Sequence, residues 1–390
     1  MTRDRFRLPE GVIYLDGNSL GAMPVGAPGR IARTVEAEWG EHLITSWNRH
    51  DWIGLPQRLG AEIARLIGAQ DHEVAVCDST SVNLFKLLAA ALDARPGRRT
   101  ILTELGNFPT DLYIADGLAR MVGANVRAVP ADGLEAALDA DVAVLMLTQV
   151  DYCSGRRHDM AAMTAAAHRA GALALWDLSH SAGAIAIELN GCDADLAVGC
   201  GYKYLNGGPG APAFVYVRRE LQDQLTNPLP GWMGHARPFA FAADYAPAPG
   251  LARFLTGTPS VIAMAALEAG LATFDGIEMA ALEAQSAILS ETFIRAVEAT
   301  CPALRFASPR DPAKRGSHVV FAHPDAYPIM QALIARGVIG DVREPDLLRF
   351  GFAPLYNDER EVVEAARILS DVVATGAYDR PEFRQRAAVI

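Results

Sequence analysis

The sequence predicts an α/β protein: a mostly parallel central sheet covered by helices, followed by a smaller C-terminal α+β unit. Three observations lead there. Short apolar runs alternate with longer helical patterns from about residue 73 to residue 218. Those runs are apolar at nearly every position, the pattern of strands buried on both faces. From about residue 260 the texture changes, and strands and helices no longer alternate in the same way.

The elements follow in order. "EVAVCD" reads as a strand and "TSVNLFKLLAAALDA" as the helix after it. "TILTEL" then precedes the helical "TDLYIADGLARMVG", and "NVRAVPA" precedes "LEAALDA", a third helical pattern. "DVAVLMLTQV" leads into the alanine-rich helix "DMAAMTAAAHRAG", since alanine has the highest helix propensity. "ALALWDLSH", "DLAVGCG" and "GAPAFVYVR" supply three more strands, the last with little helix before it. "TNPLPGWMGHARPFAFAADYAPAPG", rich in Pro, Gly and aromatics, reads as a long functional loop. Beyond it, "IAMAALEAGLA", "LSETFIRAVEA", "IMQALIARG" and "DEREVVEAARILSDVVATG" are helices, and "SHVVFAH" and "LLRFGFA" strands. The expected division is an N-terminal segment over residues 1–45, a large unit over 46–260 and a small unit over 261–390.

Composition narrows the function. A formal charge of -11 disfavours a nucleic-acid binder, because phosphate backbones reward basic surfaces. Five cysteines lie scattered without a CxxC pair, which fits reduced thiols in the cytoplasm better than a disulfide frame. Neither they nor the nine histidines show zinc-ligand spacing. The opening "MTRDRFRLPEG" has no apolar h-region, so no signal peptide is expected. No apolar run reaches the ~18 residues that cross a bilayer.

In open α/β sheets ligands gather at the carboxyl ends of strands. Asp177 closes one apolar run and His180 follows it; Lys203 stands 26 positions beyond Asp177, after the next run. A buried carboxylate needs a cationic partner. An Asp and a Lys placed this way suit pyridoxal phosphate: the amine forms a Schiff base with the aldehyde, and the acid keeps the ring nitrogen protonated so that the ring accepts carbanion electrons. Taken alone, Asp177 fits a salt bridge or a helix cap equally well, and His180 a satisfied core histidine. Asp78, Ser79, Thr80 and Ser81 fall between a strand and a helix, where hydroxyls and free N–H groups suit a phosphate, although one of them would serve as an ordinary cap. "GGPG" after Lys203 lets the backbone turn sharply. No GKS, GKT or GxGxxG occurs, so neither a Walker loop nor a dinucleotide site is supported.

Eight stretches, in this order, carry a resemblance: "YLDGNSLG", "STSVNLF", "NFPTD", "DLSHSAG", "GCGYKYLNGGPG", "GWMGH", "LTGTPS" and "LRFGFAPLY". Over essentially the whole chain they resemble kynureninase, a family of fold type I pyridoxal-phosphate enzymes of tryptophan degradation. The resemblance implies that Lys203 forms the Schiff base and Asp177 holds the pyridinium. Phe108 would stack on the ring with Asp111 beside it, and Thr148 and His180 would complete the pocket. Thr80, Ser81 and Tyr202 would hold the phosphate. It implies a homodimer with shared active sites, in which Trp232 and Thr258 reach the neighbouring subunit's phosphate region and the N-terminal segment joins the contact. Arg349 would bind the substrate α-carboxylate, a task suited to a bidentate guanidinium, or instead pair with a structural acid. Phe108 alone would pass for core and Trp232 for a loop anchor.

"SWNRHDWIGLP" reads either as an aromatic wall for the substrate, with Trp47 its main contributor, or as a helix packing on the large unit. Asn18 and Ser19 fit a plain turn. The implied reaction is hydrolysis of L-kynurenine to anthranilate and L-alanine. Lys203 would take the α-proton and Tyr202 serve the γ-carbonyl. Trp47 and Thr258 suggest a pocket favouring kynurenine over its 3-hydroxy form. The rival enzyme is a cysteine desulfurase, which needs a cysteine on a mobile loop; a rival of another class is a regulatory protein that keeps the cofactor pocket without turnover. Neither a membrane nor a nucleic acid is an expected partner.

Overall fold

The computed structural model describes residues 2–386 of the 390. Its centre is a seven-stranded sheet: β1 (Val74–Val76), β2 (Thr100–Glu104), β3 (Asn125–Val129), β4 (Val142–Thr148), β5 (Leu173–Asp177), β6 (Leu196–Gly199) and β7 (Phe214–Val217). The spatial order is β1-β7-β6-β5-β4-β2-β3. Only β7 runs antiparallel to its neighbours, β1 and β6; the other pairs are parallel. Residues 200–213, which join β6 to β7, hold no helix to carry a parallel crossover, and the chain returns antiparallel instead.

The apolar runs divide between the two faces. On β5, Ala174 and Trp176 enter one core with the helices Leu55–Leu66 and Met160–Arg169. Leu173 and Leu175 enter a second core under the helices Thr80–Asp93 and Pro109–Val122. This is the two-sided burial that the runs predicted. Edge strand β3 is the exception, half-exposed along its length.

The small unit is an antiparallel sheet of β8 (Arg305–Phe306), β9 (His318–Ala322), β10 (Asp341–Arg343) and β11 (Leu347–Gly351), in the order β8-β9-β11-β10. Its core gathers Phe293, Phe321, Phe350 and Phe352 beneath the helices Met279–Thr300 and Glu359–Ala374. A capping box of Asp358 and Glu361 starts the second helix.

One expectation is corrected. "LEAALDA" is turn rather than helix: of its seven residues Leu134 alone is fully buried, too little packing to hold a short helix. The helix Val261–Leu271 places Met264, Leu267 and Leu271 with Phe274 in the core that also holds Leu55 and Trp176; Leu282, at the start of the helix Met279–Thr300, joins them, and that helix enters the small unit's core from Leu289. The N-terminal segment packs on both units. Ile13–Tyr14 pairs in parallel with Val338–Ile339 of the small unit, while Gly21 N–H donates to Tyr202 O of the large unit at 2.9 Å.

Candidate active site

The carboxyl ends of β4, β5 and β6 and the turn after β2 converge on Lys203. Beyond Gly199 the chain doubles back on itself: the Gly207 N–H donates to Gly201 O at 2.9 Å. A Cβ on Gly207 would sit 2.7 Å from that oxygen, and one on Gly201 would sit 2.4 Å from Pro212 O, so both positions require glycine. The N-terminal segment clamps the turn from outside. Gly21 N–H donates to Tyr202 O at 2.9 Å, and a Cβ on Gly21 would approach Lys203 O to 2.4 Å.

Lys203 is only 9% exposed. Its Nζ lies 3.2 Å from His180 Nε2, 5.7 Å from the centre of the Phe108 ring and 5.8 Å from that of Tyr202. Burial and the Lys203 cation hold His180 well below the usual imidazole range, so its ring is neutral and Nε2 accepts from the ammonium. Burial likewise keeps the Tyr202 phenol protonated, helped by Cys200 and Asp177.

Asp177 ends β5 opposite Thr148 on β4. Its Oδ1 accepts from the Ser179 N–H at 2.8 Å and hydroxyl at 2.6 Å. Asp111, in the first turn of Pro109–Val122, is buried beside it. Burial, then the Asp177 carboxylate, raises Asp111 well above the usual range; burial also raises Asp177, against its Ser179 donors and the Lys203 charge. Two buried carboxyls in contact share a proton. Asp111 is raised the further, because the Asp177 carboxylate adds to burial there, while Asp177 keeps its two Ser179 donors. Thr148 Oγ1 donates to Asn107 Oδ1 at 2.6 Å, and the same oxygen caps Phe108 N–H at 2.7 Å, which fixes the Phe108 loop.

The cradle expected for a phosphate stands at the same sheet edge. After β1, Asp78 adopts φ +50° and Ser79 takes the N-cap, accepting from Val82 N–H. Thr80 and Ser81 follow in the first turn, half-buried. Cys77 N–H donates to Ala213 O at 2.9 Å and Ala213 N–H to Asp78 O at 3.0 Å, which pins the turn beside β7. Lys86, indistinguishable in sequence from a surface lysine on a helix, is fully buried behind this turn.

Arg349, on β11, is fully buried. It pairs with Asp341 through Nε at 2.7 Å and through Nη2, and it donates to Tyr152 O at 2.7 Å and Ser19 Oγ at 3.0 Å. The structural acid anticipated as its partner is therefore present. Five donors against these acceptors leave one Nη1 N–H without a partner among the described residues. Ser19, read as a turn residue, belongs to this cluster, and so does Asp16, whose carboxyl burial and Asp341 push up to about 7. His318 on β9, buried with neither ring nitrogen bonded, lies 5.6 Å from His180 between ring centres. No sequence signal marked Asp16, Lys86, His318 or Asp341.

Trp47, Trp232 and Thr258 are not brought to Lys203 within one chain. Trp47 stacks edge-on to Trp232 at 6.0 Å and to Trp52 at 6.2 Å, and Phe239 covers Trp232. Thr258 is exposed. Among the described residues, no ring contact or hydrogen bond joins these three to the lysine cluster.

The residues fit pyridoxal phosphate on this geometry: a buried amine beside an aromatic face, a buried acid pair that lacks a second cation, and hydroxyls at a helix start. Comparison with known proteins agrees. Residues 282–369 match the family model described as the kynureninase C-terminal domain. The kynureninase of Pseudomonas fluorescens is 51% identical over 99% of this chain and 95% of its own length. Among solved structures, the apo cysteine desulfurase of Thermococcus onnurineus NA1 superposes with a TM-score of 0.81 at 20% identity, over 96% of this chain and 98% of that one. A C-DES lysine mutant, described with glycine covalently linked to its PLP cofactor, gives 0.80 at 18% identity over 95% and 99%. At such identities these structures show the fold alone.

Proposed function

The chain belongs to the kynureninase family, and from that premise we propose which of its residues hold the cofactor, which hold kynurenine and which move the protons. It is a pyridoxal-phosphate-dependent hydrolase that cleaves a carbon–carbon bond of kynurenine, giving anthranilate and L-alanine. The desulfurase reading has only fold-level likeness behind it.

Bound pyridoxal phosphate supplies a carbonyl that takes up an amine and a cationic ring that draws electrons from the substrate's α-carbon. The chain's own residues do the rest. Asp177, with the shared proton kept on Asp111, would pair with the ring nitrogen. Phe108 would cover one face of the ring, Thr148 and His180 would complete the pocket, and Thr80, Ser81 and Tyr202 would receive the phosphate. Lys203, as the free amine, would take the α-proton; neutral His180, with Nε2 3.2 Å from Nζ, accepts a hydrogen bond from that nitrogen and so aims it. Arg349 meets the substrate carboxylate through its remaining donor, with Asp341 holding the guanidinium plane rigid. Water would add at the γ-carbonyl as Tyr202, a phenol kept protonated by burial, donates to the oxygen and its phenolate takes a proton from the incoming water; when the bond to Cβ breaks the electron pair stays on Cβ, and Tyr202 relays a hydroxyl proton of the hydrate to it.

The enzyme works as a cytoplasmic homodimer in this reading. Leu20, Met23, Trp39 and Ile262 expose apolar surface around a groove of about 1090 Å³ that Asn206, Gly207 and Gly208 also line. A second copy seated there brings Trp232, Thr258 and the Trp47 wall toward the other site. Five unpaired thiols support a reducing compartment.

The observation that carries the residue assignment is the buried Lys203 amine beside His180, Phe108 and the Asp111–Asp177 pair. Purified protein should be yellow with cofactor and release fluorescent anthranilate from kynurenine, and Lys203→Ala should lose both. A colour that survives Lys203→Ala overturns the assignment, and persulfide formed from cysteine favours the desulfurase rival.

A further inference from the structure

The helix Thr80–Asp93 is fastened to the turn before it by two side chains from its own first turns. Asn83 Nδ2 donates to Cys77 O at 2.8 Å. Lys86, with no exposed surface, points back toward the helix start and places Nζ 2.6 Å from Asp78 Oδ2, 2.7 Å from Phe254 O and 3.5 Å from Cys77 Sγ. A buried ammonium is retained only where its protons are satisfied. Here all three have partners, and the Cys77 thiol is neutral because burial pushes it up to about 11. Asp78 is one residue before the N-cap and sits at φ +50°, a conformation that a non-glycine residue keeps only when its surroundings hold it.

We propose that Lys86 is a positioning residue for the cofactor phosphate: by gripping Asp78 and the Phe254 carbonyl it fixes the turn that aims the Thr80 and Ser81 hydroxyls and the helix-start N–H groups. The inference rests on the cofactor site proposed above. Phe254 also begins the segment that leads to Thr258, so one ammonium sets the geometry of two phosphate-directed segments at once.

The test compares apo wild type, Lys86→Met, and Lys86→Met combined with Asp78→Asn, in which no unpaired charge is left. Each is titrated with pyridoxal phosphate and with pyridoxal, which lacks the phosphate, by absorbance, and each apo protein is melted. Lys86→Met should weaken pyridoxal phosphate about tenfold and leave pyridoxal within about twofold. The double variant should regain the apo melting temperature without regaining phosphate affinity. Equal loss for both ligands, or recovery of affinity together with melting temperature, means that Lys86 serves only the fold and overturns the proposal. If wild type binds neither ligand, the cofactor site itself is wrong, a different failure.

Discussion

Replacing Asp16 by Asn should remove a pH dependence of stability that the wild type carries. Asp16 is 3% exposed, its Oδ1 has no hydrogen-bond partner, and Asp341 adds a second carboxylate nearby. Burial is the larger cause and Asp341 the next, raising the carboxyl from 3.8 to about 7 against the pull of Arg349, Ser19 and Arg343. The folded protein thus holds a proton that the unfolded chain has released. Stability from this group is complete below the unfolded value, falls as pH rises through the interval up to about 7, and is lost above it. A shift of roughly three units at ~1.4 kcal/mol each gives ~4 kcal/mol in all, of which ~3 lies between about pH 5 and pH 7. The neutral amide resembles the protonated acid and does not titrate. Urea unfolding of both apo proteins at about pH 5 and pH 8 reads the difference. Wild type should fall relative to Asp16→Asn by a few kcal/mol over that range, so that the variant is the more stable protein at the higher pH. Equal falls refute the reasoning, since they would mean that Asp16 is ionised throughout.

Three further outcomes follow from the site. Arg349→Lys keeps the charge but loses the planar fork, so KM for kynurenine should rise about a hundredfold with kcat less affected; a loss confined to kcat would remove Arg349 from carboxylate binding. Lys203→Ala and Trp232→Ala, each poorly active alone, should regain activity when co-expressed, because a hybrid dimer carries one intact site; no recovery refutes shared sites. Comparing kcat/KM for kynurenine and 3-hydroxykynurenine should favour the former, and a preference for the 3-hydroxy form removes the role given to Trp47 and Thr258.

The parts of the fold that could be read from residues were those where burial is one-dimensional. β4 and β5 are apolar at every position through to Thr148 and Asp177, and a polar residue ending such a run marks the ligand edge of the sheet. "LEAALDA" failed because local propensity favoured helix while only Leu134 finds a core to pack into. In the proposed site, chemistry demands a residue type at Lys203 and at Asp177, and the sequence displays both. The site was not legible where a residue acts through another. Lys86 looks like any helical lysine until its ammonium is found on Asp78. Asp341 is a plain acid until β10 is laid beside β11, opposite Arg349. The Trp47 and Trp232 rings, far apart in the chain, meet only in space.

With Arg349 as the proposed partner of the substrate carboxylate, its contacts also set when this protein first becomes able to recognise a substrate. That guanidinium is held by an oxygen from the first twenty residues, a carbonyl from the middle of the chain and an acid eight positions before it. A nascent polypeptide still lacking its last strand can already have a finished sheet and a waiting lysine, yet nothing with which to grasp an amino acid by its carboxylate. Competence arrives late in synthesis, as a single closing stitch between beginning, middle and end.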